Sequence, residues 1–366
     1  MLDNWLKPVN PSLLTTSTAG GESFGAKIQR YEDHLPDLKQ TKVALIGIGE
    51  AEANAVRRAL YGLGFPFDKL QITDLGNVRR AESTFVTPLL LELLESKICP
   101  IVLGRDAKFL KAQFEAHHTY QPHVSLTLVD ERLLFDPRQK DAGKFYLNPI
   151  LQGKSGLFHF SAIGCQSHFM DDAVSTELEH QNFDCLRLGK LRSNLPGAEP
   201  FIRDADLVGF NLPALKRLEV PGVPSASPSG LFSEEACQLS RYAGMSDKLT
   251  SIGFYGFHHD LDPAGHTAQV AAQLVWYFLD GFYHRQNDFP ASMNALMEYI
   301  VHFRDHDYQL TFWKSNKTGR WWLQVPVKTR KKHLRHRLIP CSYDDYLHAS
   351  DGELPDRLLN AFKRFE

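Results

Sequence analysis

The chain has 366 residues, of which 43% are hydrophobic and 23% are charged, and its formal net charge at pH 7 is -2. This composition excludes disordered, collagen-like and coiled-coil chains, and the length indicates one large α/β domain or about two ordinary domains. The sequence has no apolar run of the roughly 20 residues that a membrane span requires and no secretory signal at its start, so we expect a cytoplasmic protein without membrane insertion.

The N-terminal residues and the central part of the chain differ in character. Residues 1–40 are rich in Pro, Ser, Thr and Gly without a sustained period, which predicts an arm lying on the domain that follows. Residues 41–285 alternate short apolar runs with helical patterns, which predicts a parallel sheet covered by helices on both faces. The predicted strands are 42–48, 100–103, 124–129, 157–163, 207–210 and 249–255, and the predicted helices lie near 50–62, 86–97, 106–116, 169–180, 233–243 and 266–281. Functional residues in such folds lie at the carboxyl ends of the strands.

Residues 286–366 form an appended extension with a different texture. A helix is predicted near 291–303, followed by a β-hairpin whose turn is Asn316-Lys317-Thr318-Gly319 and by a last helix near 355–365. The segment 314–337 contains nine Lys or Arg and no Asp or Glu, so the rest of the chain carries a net charge of -11.

This extension is the predicted partner surface of the protein. It combines tryptophans with cations, as interfaces often do. The residues concerned are Trp313, Trp321, Trp322, Lys328, Arg330, Lys331 and Lys332. We rank an unknown protein partner, a homo-oligomer or docking on the acidic remainder of the chain first, and nucleic-acid binding through 314–337 second, because no named nucleic-acid motif accompanies the basic residues.

Three short motifs suggest chemistry but have plainer interpretations. Gly47-Ile48-Gly49 with Asp74 resembles a dinucleotide fingerprint, yet Glu52 occupies the third glycine position, so we interpret the motif as a tight turn. Cys165 stands near His168, but we expect a buried, reduced cysteine, since none of the five cysteines forms a CxxC pair. The run His258–His266 concentrates metal-binding side chains, but no fixed ligand spacing accompanies them, and we favour a loop that turns into the following helix.

The order of segments from about 41 to 285 resembles the ureohydrolase superfamily of arginases, agmatinases and especially formimidoylglutamases. The resemblance spans about two thirds of the chain and rests on five segments within that stretch: Asp74-Leu75-Gly76-Asn77-Val78, PIVLGRDAKF at 100–109, LTLVDERLLFD at 126–136, residues 208–231 with Pro221-Gly222 and Gly230-Leu231, and DPAGHTAQVAAQLVWYFL at 262–279. It implies a three-layer α/β/α fold with a mainly parallel sheet. It also implies hydrolysis of guanidinium or amidine groups by two manganese ions that two His and four Asp hold.

This sequence departs from that pattern at most of the positions that the family's metal motifs match. The six ligand positions hold Ala107, Asp130, Arg132, Leu134, Asn211 and Pro213, a later Asp of the last motif becomes Lys216, and the Glu that orients substrate becomes Gly256. The summed charge of the six positions is zero, whereas two manganese ions require several hard oxygen ligands and carboxylates to balance about four positive charges. We therefore expect no cofactor, with manganese as the alternative.

Asp130 and Arg132 stand two residues apart at the end of a predicted strand, so we expect them to form an ion pair in the place of the metal cluster. With Arg105, Asn211 and Lys216 they define the predicted vestigial cleft, for which we favour a filled cleft over an anion site.

The sequence thus favours a protein that has lost hydrolase chemistry and acts as a binding or scaffolding protein. A C–N hydrolase of the formimidoylglutamase kind is the alternative, with a relocated metal on Asp130, His258, His259, Asp260 and Asp262. Nucleic-acid binding through the extension is the third hypothesis.

Overall fold

The computed structural model describes residues 2–15, 22–139, 144–152, 156–303, 308–325, 336–354 and 356–365. No helix within these ranges is long and apolar enough to cross a membrane.

A ten-stranded, mainly parallel sheet forms the centre of the molecule. Its strands are β1 Leu6–Lys7, β2 Gln29–Arg30, β3 Val43–Ile48, β4 Ile72–Val78, β5 Cys99–Gly104, β6 Val124–Val129, β7 Leu157–Ile163, β8 Asp184–Leu186, β9 Leu207–Asn211 and β10 Ser251–Tyr255. The order across the sheet is β1-β4-β3-β5-β10-β9-β6-β7-β8, with β2 also paired with β4, and β1 is the antiparallel member. β5, β10, β9 and β6 are therefore neighbours in the middle of the sheet, and their carboxyl ends meet at one edge.

Helices cover both faces of this sheet. In chain order they are α1 Ser12–Thr15, α2 Phe24–Lys27, α3 Glu50–Tyr61, α4 Ser83–Glu95, α5 Phe109–Tyr120, α6 Asn148–Leu151, α7 Asp172–His180, α8 Leu188–Ser193, α9 Glu199–Arg203, α10 Ser233–Gly244 and α11 His266–Tyr283. α3, α10 and α11 pack on one face and α4, α5 and α6 on the other, so the strands contribute side chains to two separate hydrophobic clusters. In β3, for example, Val43 and Leu45 face the first cluster, while Ala44 and Ile46 face the second. This two-sided burial explains why the strands read as continuous apolar runs, and the predicted three-layer α/β/α architecture is confirmed.

The N-terminal residues contribute to the main sheet. β1 pairs with the end of β4, where Leu6 lies opposite Val78. Residues 72–78 form β4, a strand that is not among the predicted ones.

The extension forms a separate antiparallel sheet with two helices. Its strands are β11 Leu296–Phe303, β12 Tyr308–Ser315, β13 Trp321–Gln324 and β14 Leu338–Cys341, paired in that order, and its helices are α12 Tyr343–Ser350 and α13 Asp356–Lys363. The predicted hairpin is confirmed as β12 and β13. The predicted helix near 291–303 is wrong, because Leu296–Phe303 pairs over its whole length with β12. Tyr299 and Val301 of this strand pack on the helices of the extension, an example of tertiary contacts overriding a local helical pattern.

Candidate functional site

A cavity of about 480 Å³ lies where β5, β6, β9 and β10 end. Its lining residues are Arg105, Asp106, Ala107, Asp130, Glu131, Arg132, Leu134, Lys144, Asn211, Pro213, Pro224, Ser225, Gly256 and His258. The cleft is therefore open, and the interpretation that it is filled is wrong. A site at the carboxyl ends of central strands is where open α/β sheets place ligands.

The six positions matched to the family's metal ligands all line this one cavity, as does Gly256. Ala, Leu and Pro side chains have no donor atom, and a guanidinium has no lone pair to offer. Within the described ranges, no group of three or more His, Cys, Asp or Glu side chains could hold a metal ion. The residues present therefore do not fit a dimanganese centre.

Asp130, the carboxylate kept from the metal motif, is held by hydrogen bonds. Asn211 donates from Nδ2 to Oδ2 of Asp130 at 2.5 Å and to the Tyr146 hydroxyl at 2.8 Å, and the Glu131 amide donates to Oδ1 of Asp130 at 2.7 Å. Asp130 is 3% exposed, and burial raises its pKa from 3.8 to about 7, although these hydrogen bonds favour the charged form. A side-chain amide is thus the partner of this carboxylate.

Arg132 does not pair with Asp130, so that prediction is wrong. β6 ends at Val129 and the chain turns, hence the alternation of a strand no longer applies at these residues. The guanidinium of Arg132 donates to Oε1 of Glu131 at 2.7 and 3.0 Å and lies 3.9 Å from the centre of the Phe169 ring. The partner of Arg132 is therefore Glu131, a residue that was not among the predicted site residues.

Arg105 lies at the rim of the cavity. Its guanidinium is 3.4 Å from Oε1 of Glu52 and 3.2 Å from Nδ1 of His258, and its side chain is 49% exposed. Burial and the neighbouring Arg105 lower the pKa of His258, which favours the neutral imidazole. Arg105 therefore presents a cation to the opening of the cleft.

Lys216 lies outside the lining of the cavity, contrary to the prediction. Its ammonium is 3.3 Å from the centre of the Phe232 ring. Four of the five residues of the predicted cleft thus meet, and the fifth does not.

The ligands of the hypothetical relocated metal do not converge. Asp262 is buried and accepts the amides of Thr267 and Ala268 at 3.1 and 3.0 Å, so it caps the start of α11. His259 and Asp260 are exposed on a short helical turn.

Two of the three tryptophans of the predicted partner surface are internal. Trp321 is 5% and Trp322 1% exposed, and Arg203 of α9 donates to the carbonyls of Trp321 and Cys341 at 3.1 and 3.2 Å. The Arg203 guanidinium also lies 4.4 Å from the Trp322 ring centre. These tryptophans therefore join the extension to the main domain, whereas Trp313 is half-buried on the sheet. Lys328, Arg330, Lys331 and Lys332 lie outside the described residues.

The remaining motifs have structural roles. Asp74 forms a fully buried ion pair with Arg57 at 2.8 Å and accepts the Tyr61 hydroxyl at 2.9 Å. Gly49 immediately precedes α3 and has a φ of +102°, in agreement with a tight turn. Cys165 is buried, as expected.

No known family profile matches the chain. Formimidoylglutamase from Staphylococcus haemolyticus is 32% identical over 83 residues, which are 22% of this chain and 27% of the length of that relative.

Solved structures cover more of the chain. Formiminoglutamase from Trypanosoma cruzi, determined with Mn²⁺, has a TM-score of 0.60 at 17% identity and covers 69% of this chain and 96% of its own. Formimidoylglutamase from Bacillus subtilis has a TM-score of 0.63 at 16% identity, with 72% and 92% covered. A hypothetical agmatinase from Burkholderia thailandensis has a TM-score of 0.58 at 19% identity, with 73% and 91% covered. The chain therefore has the arginase fold that formimidoylglutamases and agmatinases share, with a separate antiparallel sheet added toward its C-terminal end.

Proposed function

We propose that this protein has lost dimanganese hydrolysis and is a binding protein whose strand-end cleft takes a small anionic ligand. The observation that carries the proposal is the cavity itself. Its six positions equivalent to metal ligands hold a single carboxylate, Asp130, and that carboxylate is hydrogen-bonded to the side-chain amide of Asn211.

The charge of the cleft supports the loss of metal chemistry. Asp106 and Glu131, the other two acids of the lining, pair with Lys108 at 2.8 Å and Arg132 at 2.7 Å. Without a divalent ion, nothing lowers the pKa of a bound water toward neutrality, which is how metal hydrolases produce a hydroxide nucleophile at neutral pH.

The position of the substrate-orienting glutamate supports the same conclusion. Gly256 has a φ of +96°, and a Cβ atom added to it would lie 2.8 Å from Cδ of Pro213. A glutamate at this position would therefore be strained by the backbone and blocked by the neighbouring proline. Gly256 and Pro213, two departures from the family pattern, are therefore sterically compatible with each other.

The polar groups of the cavity indicate the ligand. Lys144 and Arg105, whose guanidinium also lies 3.4 Å from Glu52, place positive charge in the lining, and a carboxylate or another anion would pair with them. Asn211 Oδ1, in a residue only 2% exposed, has no hydrogen-bond partner among the described residues, so a ligand would bring an N–H or O–H donor to it only by reaching the floor of the cavity. A volume of about 480 Å³ suits a small metabolite.

Two measurements test this proposal. Elemental analysis after incubation with manganese, together with assays for urea, ammonia and formamide release from guanidino and formimino compounds, should show neither stoichiometric metal nor turnover. An active formimidoylglutamase serves as the positive control. Turnover that EDTA abolishes would refute the proposal.

Calorimetric titration with a panel of small carboxylates tests ligand binding. We expect one class to bind, to bind more weakly to Arg105→Gln and Asn211→Leu, and to bind unchanged to Lys216→Gln, the matched control outside the cavity. Equal binding by all these variants would place the ligand elsewhere and contradict the proposed site.

A further inference from the structure

The edges of the two sheets differ in how they are protected. At the ends of the main sheet, β1 and β2 have two residues each and β8 has three. β14 lies against the main domain, where Arg203 donates to the carbonyl of Cys341. β11 is the other edge of the four-stranded sheet, and it is eight residues long.

β11 lacks the usual defences of a free edge. No strand within the described ranges pairs with its outer side. Its sequence, LMEYIVHF, contains no Pro and no Lys, the residues that commonly prevent edge-to-edge pairing. Ile300 is 52% exposed and Met297 45% exposed. A long apolar edge of this kind is a template for another strand.

We propose that β11 pairs antiparallel with β11 of a second copy of the chain, about a two-fold axis that passes through Ile300. This inference is independent of the cleft and of its proposed ligand.

The polar side chains of the strand select this register. Glu298, Ile300 and His302 alternate along the exposed face of β11, while Tyr299 and Val301 point toward the helices. In a symmetric antiparallel pair centred on Ile300, each Glu298 lies opposite the partner copy's His302. A centre at Glu298 or His302 would instead place like residues opposite each other. A carboxylate directly opposite an imidazole can accept its N–H, whereas like charges in directly paired positions destabilise a sheet.

The paired strands would join the two extensions into one eight-stranded sheet. Main-chain hydrogen bonds would then satisfy the outer groups of β11 from 297 to 303, and the two Ile300 side chains would cover each other. Trp313 lies opposite Glu298 on β12, so it would flank this contact in both copies.

Cysteine cross-linking tests the register. At the two-fold axis the two Cα atoms would be roughly 4.5–5.5 Å apart, which suits a disulfide. Ile300→Cys should therefore form a linked dimer with a mild oxidant such as diamide. Met297→Cys is the matched control on the same strand, because its copies would lie about 20 Å apart in this register. Wild type with oxidant corrects for the native cysteines.

Charge reversal in the full chain tests the pairing without a covalent link. Sedimentation should show a dimer for wild type, at least a tenfold weaker dimer for Glu298→Arg and for His302→Glu, and a restored dimer for the double variant. Leu218 is 88% exposed on the main domain, so Leu218→Arg and Leu218→Glu are the controls and should leave the dimer unchanged.

Three outcomes would overturn the proposal. If wild type is a monomer at 100 µM, the proposal is refuted. Hydrogen exchange that finds the amides of β11 protected in that monomer would show that the chain itself covers the edge. Equal cross-linking at 297 and 300 would refute the register. A dimer indifferent to the charge reversals would place the interface elsewhere.

Discussion

The buried carboxylate of Asp130 makes a specific prediction about stability and pH. Its pKa is raised from 3.8 to about 7 in the folded protein, so the folded state binds a proton more tightly than the unfolded state. Stability from this group is then fully present below about pH 4 and is lost as the pH rises toward 7. Three pKa units correspond to about 4 kcal/mol of unfolding free energy.

Asp130→Asn removes the ionisation but keeps the shape. The oxygen of the new amide can still accept the Glu131 N–H, and Asn211 can turn its side chain so that Oδ1, which has no partner among the described residues, accepts from the new NH2 group. As the pH rises from 4 to 8, the unfolding free energy of the variant should increase by about 4 kcal/mol relative to that of wild type. Any pH-independent difference between the two proteins adds to this change.

Urea unfolding of both proteins across this pH range measures the difference. Asp68→Asn, at an exposed position, is the control and should give a flat difference. A difference for Asp130→Asn that is also flat within about 1 kcal/mol would refute the idea that this carboxylate is buried without a compensating cation.

Three further variants test how the fold is held together. Arg57→Met should cost about 3–5 kcal/mol of unfolding free energy, because it leaves a fully buried carboxylate without its cation. Arg58→Met, on the exposed side of the same helix, should cost less than about 0.5 kcal/mol, and urea unfolding measures both. Gly47→Ala should cost about 1–3 kcal/mol, since its Cβ would lie 2.0 Å from an amide oxygen of β4, while Gly64→Ala has open space and should be nearly neutral in the same assay. Arg203→Met removes the donor of two hydrogen bonds that join α9 to the extension, so we expect faster proteolysis between α11 and β11, and an unchanged cleavage rate would contradict this role.

The central sheet was largely predictable from the sequence. Strands such as Val43–Ile48 are apolar on both faces, a pattern that is typical of a parallel sheet covered by helices on both sides. β4 was missed, because Asp74 and Asn77 interrupt its apolar run. In the fold these polar residues are buried because Arg57, which lies in α3, donates hydrogen bonds to both of them.

The composition of the cleft was also predictable, but its internal contacts were not. Which residues replace the metal ligands follows from aligning motifs, and the structure places them around one cavity. Arg132 takes Glu131 instead of Asp130 because β6 ends one residue before the motif, and a strand's end is set by its neighbours.

The sequence by itself determined most of the alternating strands and helices of the main sheet, the hairpin of the extension and the residue types around the cleft, since each of these depends on residue type and local spacing. The tertiary structure decided which side chains meet: Asn211 with Asp130, Arg203 with the tryptophan strand, and Lys216 with a phenylalanine outside the cleft. It also turned Leu296–Phe303 into an edge strand. Charge pairing and burial depend on residues far apart in the chain, and their distances are fixed only when the layers pack.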